Sequence, residues 1–279
     1  MSDAPLLAVE GLNVSYPGRS GVTLAVRNVS FTLGRERLGI VGESGSGKST
    51  TGRALLGLIP KPGIVSARQM TFDGMDLTRL DDRGWQAMRG RRMSMVMQDP
   101  KYSLNPVRRI GAQIMETFLL HHRSSKRAAR AKALDMLAAV QIREPERVFN
   151  SYPHQLSGGM GQRAMIAMML VGDPDLLVAD EPTSALDVTV QNEVLRILDD
   201  LVSARGMGLI FISHNLTVVS SFCDRVLVMY AGRIVEECAA RDLAHAKHPY
   251  TRALIAAAPR LDEPLGDLST VVRDPAWLA

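Results

Sequence analysis

Cysteine is scarce in this sequence of 279 residues, which contains only two. Cys223 and Cys238 supply no disulfide framework and no Cys-x-x-Cys pair. Small secreted domains often depend on such frameworks because their hydrophobic cores are too small to stabilise them alone. The cysteine content therefore favours a reducing compartment over a secreted protein.

Long hydrophobic runs are missing as well, although 46% of the residues are hydrophobic. No stretch approaches the roughly 18 apolar residues that mark a membrane-spanning helix. The first residues, Met1 to Pro5, do not begin a basic segment followed by an apolar one, as a secretory signal peptide would. We therefore expect a cytoplasmic globular protein of one large domain or two modest ones, whose contact with a membrane would come through a partner.

The sequence also has little excess of one charge sign, because it contains 33 Lys and Arg residues and 29 Asp and Glu residues, for a net charge of +4. Arg89, Arg91 and Arg92 lie close together, a pattern that can indicate nucleic acid or a membrane surface. However, the sequence contains no zinc-finger spacing and no basic helix with interleaved aromatic residues. We interpret the arginines as a solvated face and expect no nucleic-acid partner.

A glycine-rich stretch carries the strongest functional signal. It follows an apolar run and matches the pattern G-x-x-x-x-G-K-[ST] with the residues Gly42, Glu43, Ser44, Gly45, Ser46, Gly47, Lys48, Ser49 and Thr50. Its glycines allow successive backbone N–H groups to turn inward and form an anion site at a helix N-terminus. Lys48 can then reach the β- and γ-phosphates of a nucleotide, and the Ser49 hydroxyl can bind Mg²⁺. The alternative is a chance match, but the predicted strand before the loop and helix after it favour a nucleoside triphosphate.

Two adjacent carboxylates stand near the end of a later apolar strand. Such a pair would be unfavourable if both groups were buried without a cation, because like charges repel. P-loop NTPases use this arrangement to hold Mg²⁺ and to position the attacking water. Asp180 is therefore the candidate metal ligand and Glu181 the candidate base.

Three further groups gain a function only from their neighbours in the sequence. Ser157, Gly158 and Gly159 lead into an apolar helix and could form a second anion site, although alone they would be an ordinary capped helix start. His214 ends an apolar strand, where ligands bind in parallel α/β sheets, but a lone histidine is more often structural. Tyr16 could stack on an adenine base, and the alternative is a buried or edge-strand tyrosine.

The hydrophobic pattern predicts a protein that mixes strands and helices. Strands are predicted at 6–16, 24–33, 37–41, 70–74, 93–98, 175–182, 208–213, 226–230 and 233–237, and helices at 51–58, 164–171 and 189–204. Between about 101 and 156 the pattern is helical, with Ser125 as an N-cap and with Ala133, Leu137 and Val140 on one apolar face. Gly206 is expected to end the helix over 189–204. Ala231 and Gly232 are expected to form the turn of a hairpin between the last two predicted strands.

Together these segments resemble the ATP-binding subunit of an ABC transporter, and the resemblance extends from about Leu6 to Arg260. In that family Gln98 matches the glutamine loop, Leu156 to Gln162 the signature, Ser184 to Asp187 the D-loop and His214 the switch histidine. The resemblance implies an α/β fold, with a P-loop NTPase (RecA-like) core, an N-terminal antiparallel β-subdomain and an inserted α-helical subdomain. It places the ATPase domain at 1–240, the helical subdomain at about 101–165 and a C-terminal extension at 241–279.

The resemblance also implies how ATP would be used. One phosphate loop and one signature make an incomplete site, so ATP would lie between the phosphate loop of one subunit and the signature of another. Glu181 would polarise the attacking water, and His214 would steady the γ-phosphate. The implied catalytic residues are Glu181, His214 and Gln98. Beyond the phosphate loop, the implied ATP-binding residues are Tyr16, Ser157, Gly158, Gly159 and Asp187. The implied Mg²⁺ ligands are Ser49, Gln98 and Asp180.

Within the family, the stretches 98–106, 152–155 and 248–254 resemble the peptide/nickel importer group, which takes up oligopeptides, dipeptides, nickel or related solutes. The implied partners are transmembrane permease subunits, an extracytoplasmic solute-binding protein and a second ATPase subunit, either a paralogue or a second copy. The chain would lie on the cytoplasmic face of the inner (plasma) membrane. The alternatives are an exporter ATPase and a soluble ABC ATPase acting on nucleic acid or ribosomes. Soluble ABC ATPases of that kind usually carry coiled coils, zinc modules or a second cassette, and this sequence shows none of these patterns.

Three features depart from the family pattern. Asn215 stands where Asp usually follows the histidine, a change that should be mild because His214 is kept. Gly161 replaces a larger polar residue in the signature, and glycine weakens a helix start. No cysteine follows Cys238, so we expect no iron–sulfur centre of the kind that several peptide importers carry.

Overall fold

Strands and helices alternate along the chain in the computed structural model, which describes residues 4–18, 21–184, 186–257 and 277. The strands are β1 (Leu7–Gly18), β2 (Gly21–Leu33), β3 (Arg37–Val41), β4 (Ile64–Ser66), β5 (Gln69–Phe72), β6 (Met75–Asp76), β7 (Met93–Val96), β8 (Leu176–Asp180), β9 (Gly208–Ile212), β10 (Arg225–Tyr230) and β11 (Arg233–Ala239). The helices are α1 (Lys48–Leu55), α2 (Asp82–Met88), α3 (Pro100–Ser103), α4 (Ile110–His121), α5 (Lys126–Ala139), α6 (Pro145–Asn150), α7 (Gly158–Leu170), α8 (Val188–Arg205), α9 (Leu216–Phe222) and α10 (Pro249–Ala256).

The first strands form an antiparallel sheet in the order β2-β1-β5-β6, and β4 also pairs with β1. β1 and β2 make a long hairpin in which Leu7 pairs with Leu33 and Tyr16 with Thr23. Along the end of β2, buried and exposed residues alternate because successive side chains of a strand point to opposite faces. Both predicted N-terminal β segments are thus confirmed, and they form the predicted antiparallel β-subdomain.

Contacts within the chain define two compact units. The first contains the residues up to Arg79 and those from Ile210 onward, and the second runs from Leu80 to Leu209. β9 spans this division of the chain. The first unit contains the strand order β11-β10-β3-β9, with β10 and β3 parallel, and the second contains β9-β8-β7, with β8 and β7 parallel. The parallel strands β3, β7, β8 and β10 are mostly buried, as expected for strands covered on both faces.

Helices fill the second unit between β7 and β8. Ser125 caps α5, because its Oγ accepts a hydrogen bond from the N–H of Ala128 at 3.2 Å. The predicted apolar face of Ala133, Leu137 and Val140 is fully buried. The predicted helical character of this region is therefore confirmed, whereas the domain boundaries at 101–165, 1–240 and 241–279 stay predictions. Of the predicted extension, residues 258–276, 278 and 279 lie outside the described residues.

Two helices begin earlier than the sequence predicts. α1 starts at Lys48 rather than at residue 51, and α7 starts at Gly158 rather than at residue 164. In both cases the first turn contains or follows glycines. Because glycine has a low helix propensity, the sequence pattern does not indicate that the helix has already begun. The short helices α9 and α10 are not among the predicted ones. None of the helices in the described ranges has the length and apolar content needed to cross a membrane.

The two cysteines differ in their surroundings. Cys223 is buried, whereas Cys238 is only half-buried. Burial, assisted by the negative charge of Asp224, raises the pKa of the Cys223 thiol to about 12. At neutral pH this thiol stays protonated, which suits a packing role rather than a reactive one.

Candidate active site

The phosphate loop connects the end of β3 to the start of α1 and requires glycine at two positions. Gly42 has a φ of +150°, and a Cβ there would lie 2.2 Å from the carbonyl oxygen of Met229. Gly47 has a φ of +103°, and its Cβ would lie 2.6 Å from the carbonyl oxygen of Ala25. Any larger residue would force the loop backbone away from its neighbours, so these glycines set the shape of the loop.

Lys48 lies over the loop with its side chain almost fully buried. Its Nζ donates hydrogen bonds to the carbonyl oxygens of Gly42 and Glu43, at 2.8 and 2.9 Å. The hydroxyl of Ser46 is also buried, and within the described part of the chain it has no hydrogen-bond partner. Buried polar atoms are normally hydrogen-bonded, so this hydroxyl fits a position where a phosphate oxygen would be bound. The loop therefore offers a cation and a hydrogen-bond donor to an anion.

A tight hairpin turn is hydrogen-bonded to the phosphate loop. Ala231 and Gly232, both with positive φ, form the two-residue turn between β10 and β11, as the sequence predicts. The N–H of Gly232 donates to the carbonyl oxygen of Ser46 at 3.0 Å, and the carbonyl oxygen of Gly232 accepts from the N–H of Arg27 at 2.7 Å. The turn thus connects the phosphate loop to β2, a link that no local sequence pattern indicates.

The adjacent carboxylates lie in the second unit, where β8 ends. Asp180 is 4% exposed, and Glu181 is half-buried. Glu181 has a φ of +47°, a left-handed conformation that a non-glycine residue adopts at an energetic cost. The carbonyl oxygen of Glu181 accepts from the N–H and the Oγ of Ser184, at 3.3 and 3.2 Å. This turn directs the peptide away from the strand immediately after the first carboxylate.

The signature and the D-loop also lie in the second unit, and α7, which the signature begins, packs against α8, which follows the D-loop. The Oγ of Ser157 accepts from the N–H of Met160 at 3.4 Å and caps α7, while Asp187 Oδ1 accepts from the N–H of Val190 at 3.0 Å and caps α8. A Cβ on Gly159 would lie only 2.6 Å from Val190 Cγ1. Small residues at the start of α7 therefore allow the two helix starts to approach each other.

A side chain of the signature helix also reaches the turn that contains Glu181. Gln162 is 2% exposed, and its Nε2 donates to the carbonyl oxygen of Pro182 at 2.5 Å. Sequence reasoning places Gln162 in the signature but assigns it no role. The hydrogen bond shows that α7 and the carboxylate turn are held together within this unit.

Gly161 provides a test of how the signature helix is stabilised. A Cβ at this position would lie 3.7 Å from Pro100 Cγ, an ordinary van der Waals distance, and the glycine has no positive φ. We expect Gly161→Ala to stabilise the chain by about 0.5–1 kcal/mol, since glycine disfavours a helix interior. The unfolding temperature, measured by calorimetry, should rise by about 2 °C.

The matched control is Gly159→Ala, two positions earlier in the same helix. Its Cβ would clash with Val190, so this variant should unfold at a lower temperature than the wild type. A lower unfolding temperature for Gly161→Ala as well would contradict the view that Gly161 softens the helix start.

The remaining candidates lie at strand ends or on a strand. Gln98 is exposed and follows β7, directly before α3. His214 is exposed and follows β9, and Asn215 next to it caps α9 by accepting from the N–H of Val218 at 3.2 Å. Since Asn and Asp are equally good N-caps, this contact gives a physical reason why Asn215 is a mild departure. Tyr16 is half-exposed on β1, and a Cβ on Gly63 would lie 2.8 Å from its ring.

The predicted site residues are therefore distributed between the two units. The first unit contains Tyr16, the nine residues of the phosphate loop and His214, and it brings the loop residues together. The second unit contains Gln98, Ser157, Gly158, Gly159, Asp180, Glu181 and Asp187, and it brings the signature to the start of α8, just after the D-loop, and to the carboxylate turn. Their roles toward ATP and Mg²⁺ stay predictions.

This chain is similar to a family model, to curated relatives and to solved structures of one protein family. Residues 26–184 match the family model described as "ABC transporter". A probable peptide ABC transporter ATP-binding protein of Sinorhizobium fredii is 49% identical over 91% of this chain and 77% of its own length. An oligopeptide transport ATP-binding protein of Salmonella typhimurium is 45% identical over 97% of this chain and 81% of its own length. A solved dimeric ATP-binding cassette in a post-hydrolysis state, bound to ADP and Pi, superposes with a TM-score of 0.75 at 27% identity, covering 84% of this chain and 99% of that one.

Proposed function

The chain belongs to the ABC transporter family of ATP-binding subunits and hydrolyses ATP to energise transport, and on this premise we propose that it serves an importer of peptides, nickel or related small solutes. The similarity to peptide-transport subunits over most of the chain carries this proposal. The α/β fold with an antiparallel β-subdomain and inserted helices agrees with the family. The same relatives favour import over export and over action on nucleic acid or ribosomes.

We propose that the phosphate loop, residues 42–50, binds the ATP phosphates. The buried ammonium of Lys48 would neutralise the β- and γ-phosphates, and the unpartnered hydroxyl of Ser46 would donate to a phosphate oxygen. Ser157, Gly158, Gly159 and Asp187 would complete the site from a second subunit. Because α7 and α8 begin with side-chain caps at Ser157 and Asp187, the positions of these residues are fixed before ATP binds.

We propose Mg²⁺ as the metal of the site. The hydroxyl of Ser49, the amide of Gln98 and the carboxylate of Asp180 would supply the hard oxygen ligands that this ion prefers. When bound, Mg²⁺ would stabilise the negative charge that develops on the phosphate oxygens. Glu181 would orient and deprotonate the water, and His214 would hold the γ-phosphate in line.

Tyr16 is proposed to stack on the adenine ring. Its half-exposed ring leaves a face for a planar ligand, and stacking of this kind contributes about 1 kcal/mol. We expect Tyr16→Ala to weaken ATP binding about fivefold, measured by calorimetric titration, whereas Tyr16→Phe keeps the ring and should bind like the wild type. Equal affinity for all three proteins would return Tyr16 to a purely structural role on β1.

The proposed partners follow from the incomplete site in one chain. Two ATPase subunits, this chain with a paralogue or with a second copy, would close over two ATP molecules. Transmembrane permease subunits would bind them at the cytoplasmic face of the inner membrane, and an extracytoplasmic solute-binding protein would deliver the solute. We propose that the chain attaches to the membrane peripherally, through these permease subunits.

Reconstitution tests the proposed function. The chain is purified with the permease and ATPase subunits encoded beside it and placed in proteoliposomes with the matching solute-binding protein. Peptide-loaded binding protein should stimulate ATP hydrolysis, and a labelled peptide or Ni²⁺ should accumulate only when ATP is present on the side of the ATPase. ATP-driven movement in the opposite direction, or hydrolysis without movement of any tested solute, would overturn the import proposal.

A further inference from the structure

The stretch 248–254 marks the importer group but has no role in the ATP chemistry described above. In the structure it forms the start of α10. The Nδ1 of His248 accepts from the N–H of Tyr250 at 3.2 Å, and Pro249 occupies the first turn of the helix, where its missing N–H carries no penalty. This start places Tyr250 in a fully buried position, with 0% of its surface exposed.

Tyr250 contacts the phosphate loop directly. Its Oη accepts a hydrogen bond from the backbone N–H of Glu43 at 2.9 Å. That N–H belongs to the peptide group whose carbonyl oxygen is Gly42 O, and Gly42 O accepts from Lys48 Nζ at 2.8 Å. One peptide group is therefore held at both ends, by Tyr250 on its N–H and by Lys48 on its carbonyl.

The orientation of this peptide group is not fixed by the local sequence. Gly42 has no Cβ to restrict its backbone, and a rotation about ψ of Gly42 and φ of Glu43 would exchange the directions of the N–H and C=O of this peptide. After such a rotation Lys48 would lose one of its carbonyl partners. A hydrogen-bond acceptor facing the N–H of Glu43 stabilises one orientation and so keeps the carbonyl of Gly42 toward the ammonium.

The position of the tyrosine hydroxyl is in turn fixed by its neighbours. The Tyr250 ring packs against the rings of Tyr230 and Trp277, with centroid distances of 4.5 and 5.4 Å. The carboxylate of Glu236 accepts from the N–H of Lys247 at 2.6 Å and from the N–H of His248 at 3.2 Å, which anchors the chain before α10. Burial raises the pKa of Glu236, but the Thr251 side chain and these two N–H groups together outweigh burial, so the pKa lies below its usual range and the anchor is ionised at neutral pH.

We propose that Tyr250 is a positioning residue for the phosphate loop, which orients the Gly42–Glu43 peptide and through it Lys48. The inference rests on the proposed role of Lys48 in binding the β- and γ-phosphates. It gives the stretch 248–254 a defined task, because a helix late in the chain then sets the geometry of a loop near its beginning. Tyr250 acts through the loop and does not itself contact the nucleotide.

The test compares Tyr250→Phe with Tyr230→Phe in the full-length chain. Each variant removes one hydroxyl from the same aromatic cluster and keeps its ring, but only Tyr250→Phe removes the acceptor for Glu43. We expect Tyr250→Phe to weaken MgATP binding about three- to tenfold by calorimetric titration, as for the loss of one buried hydrogen bond. Tyr230→Phe should bind MgATP like the wild type.

Amide hydrogen exchange without nucleotide provides a second readout. The Glu43 amide, followed by NMR, should exchange several-fold faster in Tyr250→Phe than in the wild type or in Tyr230→Phe. An unfolding temperature for Tyr250→Phe within a few degrees of the wild type would show that the fold is retained. Hydrolysis with the partner subunits should show a higher KM for MgATP and a kcat near the wild-type value, since a binding contact has been weakened.

Two results would overturn the inference. Unchanged MgATP affinity in Tyr250→Phe would remove the link to the loop, and equal losses in both tyrosine variants would indicate general packing of the cluster. These outcomes are distinct from failure of the proposed function. If the wild-type chain bound MgATP no better than Lys48→Ala, the role of Lys48 itself would be wrong, while the exchange rate of the Glu43 amide would still report the hydrogen bond.

Discussion

Lys48→Ala should reduce ATP hydrolysis by about 10³-fold, to a rate close to background, and abolish ATP-driven uptake. The side chain is the buried cation of the phosphate loop, and its ammonium is held by the carbonyl oxygens of Gly42 and Glu43. Loss of a preorganised group that stabilises transition-state charge costs about 10²–10³-fold in rate, and here weaker ATP binding adds to this loss. Steady-state hydrolysis by the assembled complex measures the effect.

Two further variants show whether charge or packing is responsible. Lys48→Met retains most of the aliphatic side chain without the ammonium and should be as inactive as Lys48→Ala. Lys126→Ala removes an exposed lysine at the start of α5 and should hydrolyse ATP at the wild-type rate. Near-normal hydrolysis by both Lys48 variants, with folding verified by their unfolding temperatures, would remove the proposed role of the phosphate loop.

Glu181→Gln should separate binding from chemistry. The amide keeps the size and hydrogen-bonding capacity of the carboxylate but lacks its basicity, so ATP and Mg²⁺ should still bind. General-base catalysis contributes about 10²–10⁴-fold, and we expect single-turnover hydrolysis to slow by that factor. Because hydrolysis no longer reopens the closed pair of subunits, a stable ATP-bound dimer should accumulate and elute earlier in size-exclusion chromatography with MgATP.

The backbone strain at residue 181 is the same in the wild type and in Glu181→Gln. Glu181 has a φ of +47°, and Gln has the same substituents at Cβ, so both residues experience the same strain. Any difference between them then reports on the carboxylate. Asp180→Asn, one residue earlier, should instead weaken the dependence on Mg²⁺ and dimer closure together, whereas Glu10→Gln on the exposed surface of β1 should change neither.

The outcome that contradicts the assignment of Glu181 is specific. Glu181→Gln would hydrolyse ATP at the wild-type rate, or it would lose hydrolysis without ever forming the closed dimer. In the first case the base lies elsewhere, and His214 becomes the candidate for the main catalytic role. In the second, the carboxylate is needed for assembly of the site rather than for proton transfer.

The parts of the fold that the sequence predicts well are those with strong local signals. The strands β3, β9 and β10, the Ala231-Gly232 turn and the Ser125 cap follow from apolar runs and from residues with defined turn or cap chemistry. The phosphate loop follows from the spacing of its glycines, because all three of them have φ values that other residues rarely adopt. In these segments local preference and tertiary structure agree.

The parts that escape prediction depend on distant contacts. α10 has eight residues and too short an apolar pattern to be recognised, and its Tyr250 meets Glu43 across 207 positions of sequence. Gln162 is buried in a helix, yet its partner is the carbonyl of Pro182 in another segment. The start of α1 is hidden because Gly47 precedes it with a left-handed backbone and supplies no side-chain cap. No local pattern specifies such partners.

The hairpin turn at Ala231 and Gly232 limits how the length of this chain can vary during evolution. Its two residues connect β10 to β11 while Gly232 also bonds both Ser46 and Arg27. An inserted residue would displace Gly232, and the phosphate loop would lose its backbone partner. Insertions and deletions among descendants of this sequence should therefore accumulate at exposed connections such as the segment between α4 and α5, while the length of this turn stays constant.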